Sequence, residues 1–367
     1  MLNSRLLHLK ALMASNNVDA VVVNPGPTLV YLTGLHFHLM ERPTLLLFRK
    51  DEQPSLILPE LEAGKLLDLD FPITVHTYKD DPSTWQNVFD GALRTWQGKT
   101  PVIGVESTRL RFLEMDFLQK SLPDAKFSAA DEVFNGLRAR KDEHEVAYMR
   151  KAAEIAQKAL TATLPTIKPG VSEQEIASEL VIQLFKAGSS PELPFAPIVA
   201  GGPNSANPHA VPSSRKIKRG DFLVIDWGAT YEDYFSDLTR TFAIGEVDTE
   251  LLKIYEAVKL ANAAGRAAGK PEIKAGIVDS ASRQIIEDSG YGKYFTHRTG
   301  HGLGMEAHEQ PYIFHGNDLI LEKGMTYTIE PGIYLPGKGG VRIEDDVVIT
   351  ANGCESLSDF SRDLQVL

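Results

Sequence analysis

The chain has 367 residues, of which 43% are hydrophobic and 24% are charged, as is typical of a soluble globular protein with two domains. Its formal net charge of -11, without long runs of Lys or Arg, argues against nucleic acid or an anionic membrane as the main partner. The single cysteine, Cys354, excludes an internal disulfide and favours a reducing cytoplasm as the location.

Residues 1–135 alternate short apolar runs with amphipathic segments, which predicts an α/β domain. The first amphipathic segment predicts a helix, and strands are expected at 20–23, 44–48, 55–58, 73–75 and 102–105. Arg5, His8 and Lys10 interrupt the first segment too often for a signal peptide, and no apolar run approaches the roughly 18 residues of a membrane span. We therefore expect neither a signal peptide nor a membrane span.

A domain boundary is expected near Gly136, with a second domain over 136–367. A long helical pattern begins there and covers 137–153. A second helix is predicted to start at Ser172, where Glu175 completes a capping box. Strands with proline-rich joints follow from residue 194, and the polar residues suited to chemistry collect beyond this point.

Two aspartates of the segment 222–241, Asp226 and Asp237, lie next to apolar residues. A buried strand, 222–225, leads directly into Asp226. If the chain folds back about Tyr231 and Glu232, Asp226 pairs with Asp237 and both carboxylates lie on one face. Like charges at that distance require either a strongly raised pKa or a bound cation. The alternative is that these acids are ordinary solvent-facing hairpin residues, as most Asp pairs are.

Two further segments contain candidate ligands. His301 lies between glycines, which allow a close approach of the backbone, and the surrounding residues lack the Lys and the strand-to-helix pattern of a phosphate-binding loop. The strand ending at Glu330 and the strand that contains Glu344 are separated by a turn-rich segment around Gly337. Folding about this glycine places Glu330 opposite Glu344, so a second hairpin presents a second pair of acids.

These segments together resemble a known family, the pita-bread metallopeptidases, in its Xaa-Pro dipeptidase (prolidase) and Xaa-Pro aminopeptidase branch. The resemblance covers essentially the whole chain. It implies a creatinase-like N-terminal α/β domain, 1–135, and a catalytic pita-bread domain, 136–367, with a curved mixed or antiparallel sheet flanked by helices. The motifs that carry it are Asp226-Trp227-Gly228, Ser236-Asp237-Leu238-Thr239-Arg240-Thr241, Gly300-His301-Gly302, Ile329-Glu330-Pro331-Gly332 and Arg342-Ile343-Glu344.

The resemblance implies two divalent ions and a ligand set of five residues. One ion would be held by Asp226, Asp237 and Glu344, and the other by Asp237, His301, Glu330 and Glu344. Four carboxylates and a neutral imidazole carry a charge of about -4, which two divalent cations cancel. Ligands that are mostly oxygen favour manganese, with cobalt, iron or zinc as further candidates.

The implied reaction is hydrolysis of the N-terminal Xaa-Pro bond of a dipeptide or short peptide by a metal-bridged hydroxide. By resemblance, Glu330 passes the proton toward the leaving nitrogen, while His209 and His308 contact the substrate and the tetrahedral intermediate. An Xaa-Pro bond has no amide hydrogen, so a dedicated apolar pocket is needed. Its candidate walls are Phe195, Ile198 and Tyr312, each of which could equally be a core residue. Arg342 is expected at the edge of the site, in contact with the substrate.

The preferred peptide length stays open. Some dipeptidases of the family place an arginine near the Tyr312 position to hold the free C-terminal carboxylate, and this chain has tyrosine there. His36 and His38, which follow a turn at Thr33 and Gly34, could approach a substrate, although loop histidines without a role are commoner. We therefore expect cleavage of Xaa-Pro dipeptides and of longer Xaa-Pro-Yaa peptides, with a modest preference between them.

The main alternative is a non-peptidase amide or C–N hydrolase on the same fold, of the creatinase or ectoine-derivative type. Creatinase-like members lose metal ligands, whereas this chain keeps all five candidates. A metal-free binding protein, as some eukaryotic relatives are, is disfavoured for the same reason. The length of the chain favours an Xaa-Pro exopeptidase over a methionine aminopeptidase, and a homodimer is usual in the family.

Overall fold

The computed structural model describes residues 2–67, 69 and 72–367, except for the side chains of residues 2 and 3. The chain forms two compact units, Met1–Arg138 and Ala139–Leu367. The boundary expected from the sequence, after residue 135, lies close to this division. Among the described residues, none of the helices combines the length and the apolar character that crossing a bilayer requires.

The first unit is built on a mixed six-stranded sheet with the strand order β4-β3-β2-β1-β5-β6. Strands β1, β2 and β3 are antiparallel neighbours, while β4, β5 and β6 join through parallel pairs. Its elements are α1 (Leu2–Ser15), β1 (Ala20–Val23), α2 (Pro27–Thr33), β2 (Leu45–Arg49), β3 (Ser55–Pro59), β4 (Thr74–Tyr78), α3 (Trp85–Ala92), β5 (Val102–Val105), α4 (Phe112–Ser121), β6 (Lys126–Ala129) and α5 (Asp131–Arg138).

All five strands expected in this unit are present, and β6 is an additional one. The expected strands were recognisable because their residues are apolar and four of them lie in the interior of the unit. Strand β6 reads Lys-Phe-Ser-Ala, lies at the edge of the sheet and is partly exposed, so it carries no apolar run. On one face of the sheet, Val22 and Ile57 pack with Phe89 of α3 and Leu118 of α4.

The second unit contains four α-helices and thirteen strands in the part that the structure describes. They are α6 (Glu143–Thr163), α7 (Glu173–Ala187), β7 (Ile198–Gly201), β8 (Phe222–Trp227), β9 (Thr230–Tyr231), β10 (Tyr234–Phe235), β11 (Leu238–Ala243), α8 (Thr249–Ala268), α9 (Ala275–Asp288), β12 (Gly300–Gly302), β13 (Glu309–Ile313), β14 (Thr326–Ile329), β15 (Gly332–Leu335), β16 (Gly339–Arg342), β17 (Asp345–Thr350), β18 (Gly353–Ser356) and β19 (Gln365–Val366).

Two larger sheets of this unit carry the candidate site. One has the strand order β19-β11-β8-β7 and the other has the order β13-β12-β14-β17-β18. Only the β11–β19 pair is parallel in these two sheets, so the unit is mixed but mostly antiparallel.

Alternation along the strands decides which side chains face the helices. In β8, Leu223, Ile225 and Trp227 join the hydrophobic core formed with α6 and α7. In β14, Tyr327 and Ile329 pack in a core that includes residues of α9. The alternate residues point to the opposite faces, and the acids of the candidate site belong to these faces.

The expectation of one continuous helix over 137–153 is wrong. Helix α5 ends at Arg138, and α6 begins after Asp142, whose carboxylate accepts hydrogen bonds from the backbone of His144 and Glu145 in a capping box. The intervening segment is extended, because Arg140 bridges to Met325 and the Lys141 amide donates to the Gly324 carbonyl. The second expected capping box, Ser172 with Glu175, is confirmed at the start of α7.

Candidate metal centre and active site

The hairpin that contains Asp226 and Asp237 folds with a different register from the expected one. Asp226 lies opposite Thr239, so the expected direct pairing of Asp226 with Asp237 is wrong. The turn is made by Glu232 and Asp233, both with positive φ, and not by residues 231 and 232. Because Asp237 precedes Thr239 by two residues, it still lies on the same face as Asp226 as a diagonal neighbour.

The second hairpin has the register expected from the sequence. Ile329 pairs with Asp345 on one side of the acids, and Gly332 pairs with Arg342 on the other. Glu330 and Glu344 occupy matching positions between these two ladders. The two hairpins then join each other directly, because the Glu344 amide donates to the Thr239 carbonyl and the Thr239 hydroxyl donates to a Glu344 carboxylate oxygen at 2.5 Å.

His301 lies on the short strand β12 between two glycines. A Cβ atom at Gly300 would lie 1.8 Å from the Thr328 carbonyl oxygen, and one at Gly302 would lie 2.3 Å from the Gln310 carbonyl oxygen. The missing side chains therefore allow β12 to lie between its neighbours. The His301 Nδ1 atom is 3.1 Å from the Gly302 carbonyl oxygen, an acceptor, which favours the proton on Nδ1 and leaves a lone pair on Nε2.

The five candidate ligands come together in one buried cluster. The Nε2 atom of His301 lies 3.7 Å from a carboxylate oxygen of Asp237 and 3.4 Å from one of Glu330. One ligand atom each from Asp237, His301 and Glu344 lies within 4.8 Å of the other two. Asp226 lies on β8, opposite Thr239 of β11, and its side chain is on the same face of the sheet as the cluster. Its Oδ1 atom is buried without a hydrogen-bond partner in the described structure.

Burial and mutual repulsion perturb the ionisation of this cluster. Burial, followed by the negative charges of Glu344 and Asp226, raises the pKa of Asp237 well above its usual range. Burial, followed by Glu330 and Asp226, does the same to the pKa of Glu344. Burial also raises the pKa of Glu330 to about 7. Burial lowers the pKa of His301, so its imidazole is neutral at pH 7.

These observations fit a site for divalent cations. Several carboxyl groups are buried together, and without a compensating charge they hold protons near neutral pH. A neutral imidazole offers a lone pair into the same space, and a buried oxygen of Asp226 lacks a donor. Cations would replace the protons and satisfy this oxygen, because carboxylates and neutral imidazoles are ordinary metal ligands. The residues present therefore suit divalent metal binding.

Arg342 does not lie at the edge of the site, as the sequence led us to expect. Its guanidinium is buried and donates to an Asp226 carboxylate oxygen at 2.6 Å. It also donates to the Tyr334 hydroxyl, the Pro208 carbonyl and the Thr239 hydroxyl. These contacts engage four of the five N–H donors of the guanidinium. Arg342 instead orients Asp226 and, through Thr239, Glu344.

His209 and His308 lie on two exposed loops that border the cluster. The His308 ring centroid is 4.0 Å from that of His301. Burial and the charge of Arg298, with a smaller contribution from His209, lower the pKa of His308. The loop of His209 is fixed at Pro208, whose carbonyl accepts from Arg342, and at Ser213, which donates twice to Glu173.

The structure places two of the three candidate pocket residues beside metal-ligand candidates. Ile198 on β7 lies directly opposite Asp226, and Tyr312 on β13 lies directly opposite His301, so each shares a face with its partner. Both side chains are half-buried. Phe195 is also half-buried and precedes β7, but no described contact joins it to the cluster.

Three charged residues around the cluster were not predicted from the sequence to belong to the site. Asp346 is fully buried and accepts the Asp237 amide at 2.9 Å, which holds that ligand in place. Lys141 forms a buried ion pair with Glu309, the neighbour of His308. Arg298 stacks over Tyr312, with its guanidinium carbon 4.3 Å from the ring centroid. Arg298 lies in the same motif as His301, but its neighbours could not be known from the sequence.

Comparisons with known proteins give two family matches, one for each unit. Residues 5–140 match the family described as "Creatinase/Prolidase N-terminal domain". Residues 147–351 match "Metallopeptidase family M24", and this segment contains all five candidate ligands. The two matches together agree with the fold class that was expected from the sequence.

Full-length similarity to named proteins supports these matches. The chain is 36% identical over 363 residues to "Xaa-Pro dipeptidase" from Pyrococcus horikoshii, and the alignment covers 99% of each chain. The crystal structure of a prolidase from Thermococcus sibiricus is similar with a TM-score of 0.93 and 34% identity, over 100% of this chain and 99% of that one. An X-Pro aminopeptidase from Thermotoga maritima is similar with a TM-score of 0.85 and 31% identity, over 99% of each chain.

Proposed function

This chain belongs to metallopeptidase family M24, and from that membership we propose that it is an exopeptidase that hydrolyses the N-terminal Xaa-Pro bond of dipeptides or short peptides. The observation that carries the proposal is the buried cluster of Asp237, His301 and Glu344, with Glu330 beside it and Asp226 on the same face. The full-length similarity to proteins named Xaa-Pro dipeptidase and prolidase supports the substrate class.

In this proposal Asp226, Asp237, His301, Glu330 and Glu344 hold two divalent ions. The donor set is mostly oxygen, which favours manganese over metals that prefer thiolates. When bound, such ions supply Lewis-acid chemistry, lowering the pKa of water and stabilising negative charge on oxygen. Arg342 and Asp346 fix the orientation of two ligands by their hydrogen bonds to Asp226 and to the backbone of Asp237.

The protein's own groups move the proton and position the peptide. Glu330 has the most exposed carboxylate of the four acids, with 16% of its side chain accessible, and lies 3.4 Å from His301. It can therefore accept a proton from water and deliver it to the leaving proline nitrogen. His209 and His308 border the cluster on the open side, where their ring N–H groups can donate to the oxygen of the scissile carbonyl.

Specificity for proline is assigned to apolar residues next to the ligands. Ile198 and Tyr312 flank the cluster from opposite sheets and can enclose a pyrrolidine ring, with Phe195 as a further candidate. We also propose a homodimer, as the resemblance implies. A reducing cytoplasmic location is part of the same proposal and is supported by the single cysteine.

We expect the Mn²⁺-loaded protein to cleave Ala-Pro with a kcat/KM at least about 10-fold above that for Ala-Ala, the lower range for a pocket that fits one apolar group. The assay measures release of free proline or alanine from the two dipeptides under identical conditions. Equal cleavage of both peptides would leave an exopeptidase without proline specificity. Cleavage of creatine with neither peptide hydrolysed would favour the non-peptidase alternative.

A further inference from the structure

The loop that carries His209 has little apolar surface with which to pack. We call residues 201–213, which begin at the last residue of β7, the His209 loop. Val199 and Ile217, which flank it, belong to the hydrophobic core formed with α6 and α7. Within the loop, all of whose residues are described, Ala210 is the only apolar side chain that is buried. The conformation of the loop therefore depends on polar contacts more than on apolar burial.

The carboxylate of Glu173 receives hydrogen bonds from both ends of the His209 loop. One oxygen accepts from the Gly201 amide at 2.8 Å and from the Asn204 side-chain amide at 3.0 Å. The other oxygen accepts from the amide and the hydroxyl of Ser213, at 3.0 and 2.6 Å, and from Asn204 at 3.1 Å. One side chain therefore joins the start of the loop to its end.

Glu173 is fully buried, and no Lys or Arg of the described residues forms an ion pair with it. Burying a carboxylate is unfavourable unless hydrogen bonds compensate for the lost water. Here all five hydrogen bonds to the carboxylate come from the His209 loop. Glu173 is also the first residue of α7, where the helix dipole favours a negative charge. The contacts of this buried carboxylate are thus directed entirely at the loop.

The tip of the His209 loop is attached to the metal-ligand candidates. Arg342 donates to the Pro208 carbonyl at 3.2 Å and to Asp226 at 2.6 Å, so one guanidinium joins the residue before His209 to a candidate ligand. The His209 amide donates to the Asn207 side chain at 3.1 Å, which fixes the turn at the tip. The tip is therefore held from the site, and the two ends are held by the buried carboxylate.

Resting on the proposed function, we propose that Glu173 is a positioning residue, which holds the His209 loop so that the imidazole can donate to the oxygen of the scissile carbonyl. Glu173 is buried beneath the loop's hydrogen bonds, so it acts only through the loop. A displacement of about 1 Å at a positioned group can lower a rate by about 100-fold. The loss should fall on kcat more than on KM, because a donor to the developing oxyanion acts in the transition state.

The test is Glu173→Gln, which keeps the size of the side chain and replaces one carboxylate oxygen by an NH₂ group. Whichever oxygen is replaced, the amide of Gly201 or that of Ser213 loses its acceptor. We expect kcat of the Mn²⁺-loaded protein for Ala-Pro to fall by about 10- to 100-fold, with metal content unchanged. Glu173→Asp, which keeps both oxygens, should recover part of this loss. Hydrogen exchange followed by mass spectrometry should show a loss of amide protection in the His209 loop of Glu173→Gln.

The same substitution in the His209→Ala background separates positioning from a general structural role. If Glu173 acts through the imidazole, the double variant should have the kcat of His209→Ala to within about 2-fold, whereas independent effects would multiply. A loss in the double variant as large as the loss in Glu173→Gln alone would overturn the assignment. An unchanged kcat in Glu173→Gln would overturn it too, and both outcomes would leave the exopeptidase intact.

The matched control is Glu175→Ala, in the same turn of α7. The Glu175 carboxylate accepts from the amide and the hydroxyl of Ser172 and makes no hydrogen bond to the His209 loop in the described structure. This variant should lower thermal stability while leaving kcat and the protection of the loop unchanged. A fall in its kcat equal to that of Glu173→Gln would assign the effect to the helix end and overturn the proposal.

Ser213→Ala takes the place of Glu173→Gln if that variant does not fold, because it removes a donor to the carboxylate from the loop side. It is expected to lower kcat in the wild-type background and not in the His209→Ala background, and an unchanged kcat in both would overturn the assignment. A wild-type protein that cleaves no Xaa-Pro peptide would instead overturn the proposed function and the inference with it.

Discussion

Asp237→Ala is expected to abolish tight metal binding and to lower kcat for Ala-Pro on the order of 10³-fold or more. Asp237 is buried at the centre of the cluster, within 4.8 Å of ligand atoms of both His301 and Glu344. Its loss removes a carboxylate that both proposed ions share, whereas loss of an outer-shell partner costs roughly 10–100-fold in affinity or activity. The measurement is metal content by elemental analysis together with steady-state kinetics.

The control for this variant is Asp318→Ala, because Asp318 lies in the connection between β13 and β14, its side chain is 81% exposed and it pairs with the exposed Lys274. It should keep both metal and activity. Thermal unfolding of the two variants separates loss of a ligand from loss of the fold. An Asp237→Ala protein that retains two ions per chain and normal turnover would show that the cluster is not the metal centre.

His209→Ala is expected to lower turnover by roughly 10²–10⁴-fold without changing the metal content, which is the range for a positioned acid–base group or oxyanion donor. His209 is exposed on a loop anchored by Arg342 and Glu173, and it contacts none of the four acids in the described structure. The anchors keep the loop in place when the imidazole is removed, so the effect should be confined to chemistry and substrate binding.

His315→Ala provides the matched control, since His315 is an exposed histidine whose ring lies 3.4 Å from the Ser280 hydroxyl. Its kinetics should equal those of the wild type. If His209→Ala lost its metal, His209 would be a ligand or a structural residue. If its turnover were unchanged, another group would donate to the scissile carbonyl.

The acids of the site were predictable because each lies within or next to a short strand of a local hairpin. The register of the first hairpin was not, since its turn consists of Glu232 and Asp233 with positive φ, a conformation that is uncommon for residues other than glycine. Neither residue belongs to the Asn-Gly or Asp-Gly pairs that mark such turns. The second hairpin was placed correctly because Gly337 supplies a recognisable turn.

The start of α6 was misplaced for a non-local reason. The helical pattern continues through 139–141, but this segment bonds to Gly324 and Met325 and pairs with Glu309, residues that are distant in sequence. Tertiary contacts therefore override local propensity there. Only the capping box at Asp142 and Glu145 is a local signal for the true start.

The roles of the arginines could not be separated in the sequence. Arg342 and Arg298 each lie within three residues of a proposed ligand. The difference arises from folding, which buries Arg342 against Asp226 and leaves Arg298 on the Tyr312 ring. Which cation is available to a substrate depends on which cations already have partners, and that is a property of the tertiary structure.

The most direct test of a metal centre that hydrolyses Xaa-Pro bonds is Ala-Pro hydrolysis by chelator-stripped protein, before and after adding back Mn²⁺. We expect no proline release from the stripped protein and recovery of activity as about two ions bind per chain, because the four carboxylates need that charge to ionise together. Co²⁺ should also restore activity, and Mg²⁺ at the same concentration serves as the control for a non-specific ion effect. Full activity in protein shown by elemental analysis to be free of metal would contradict the account.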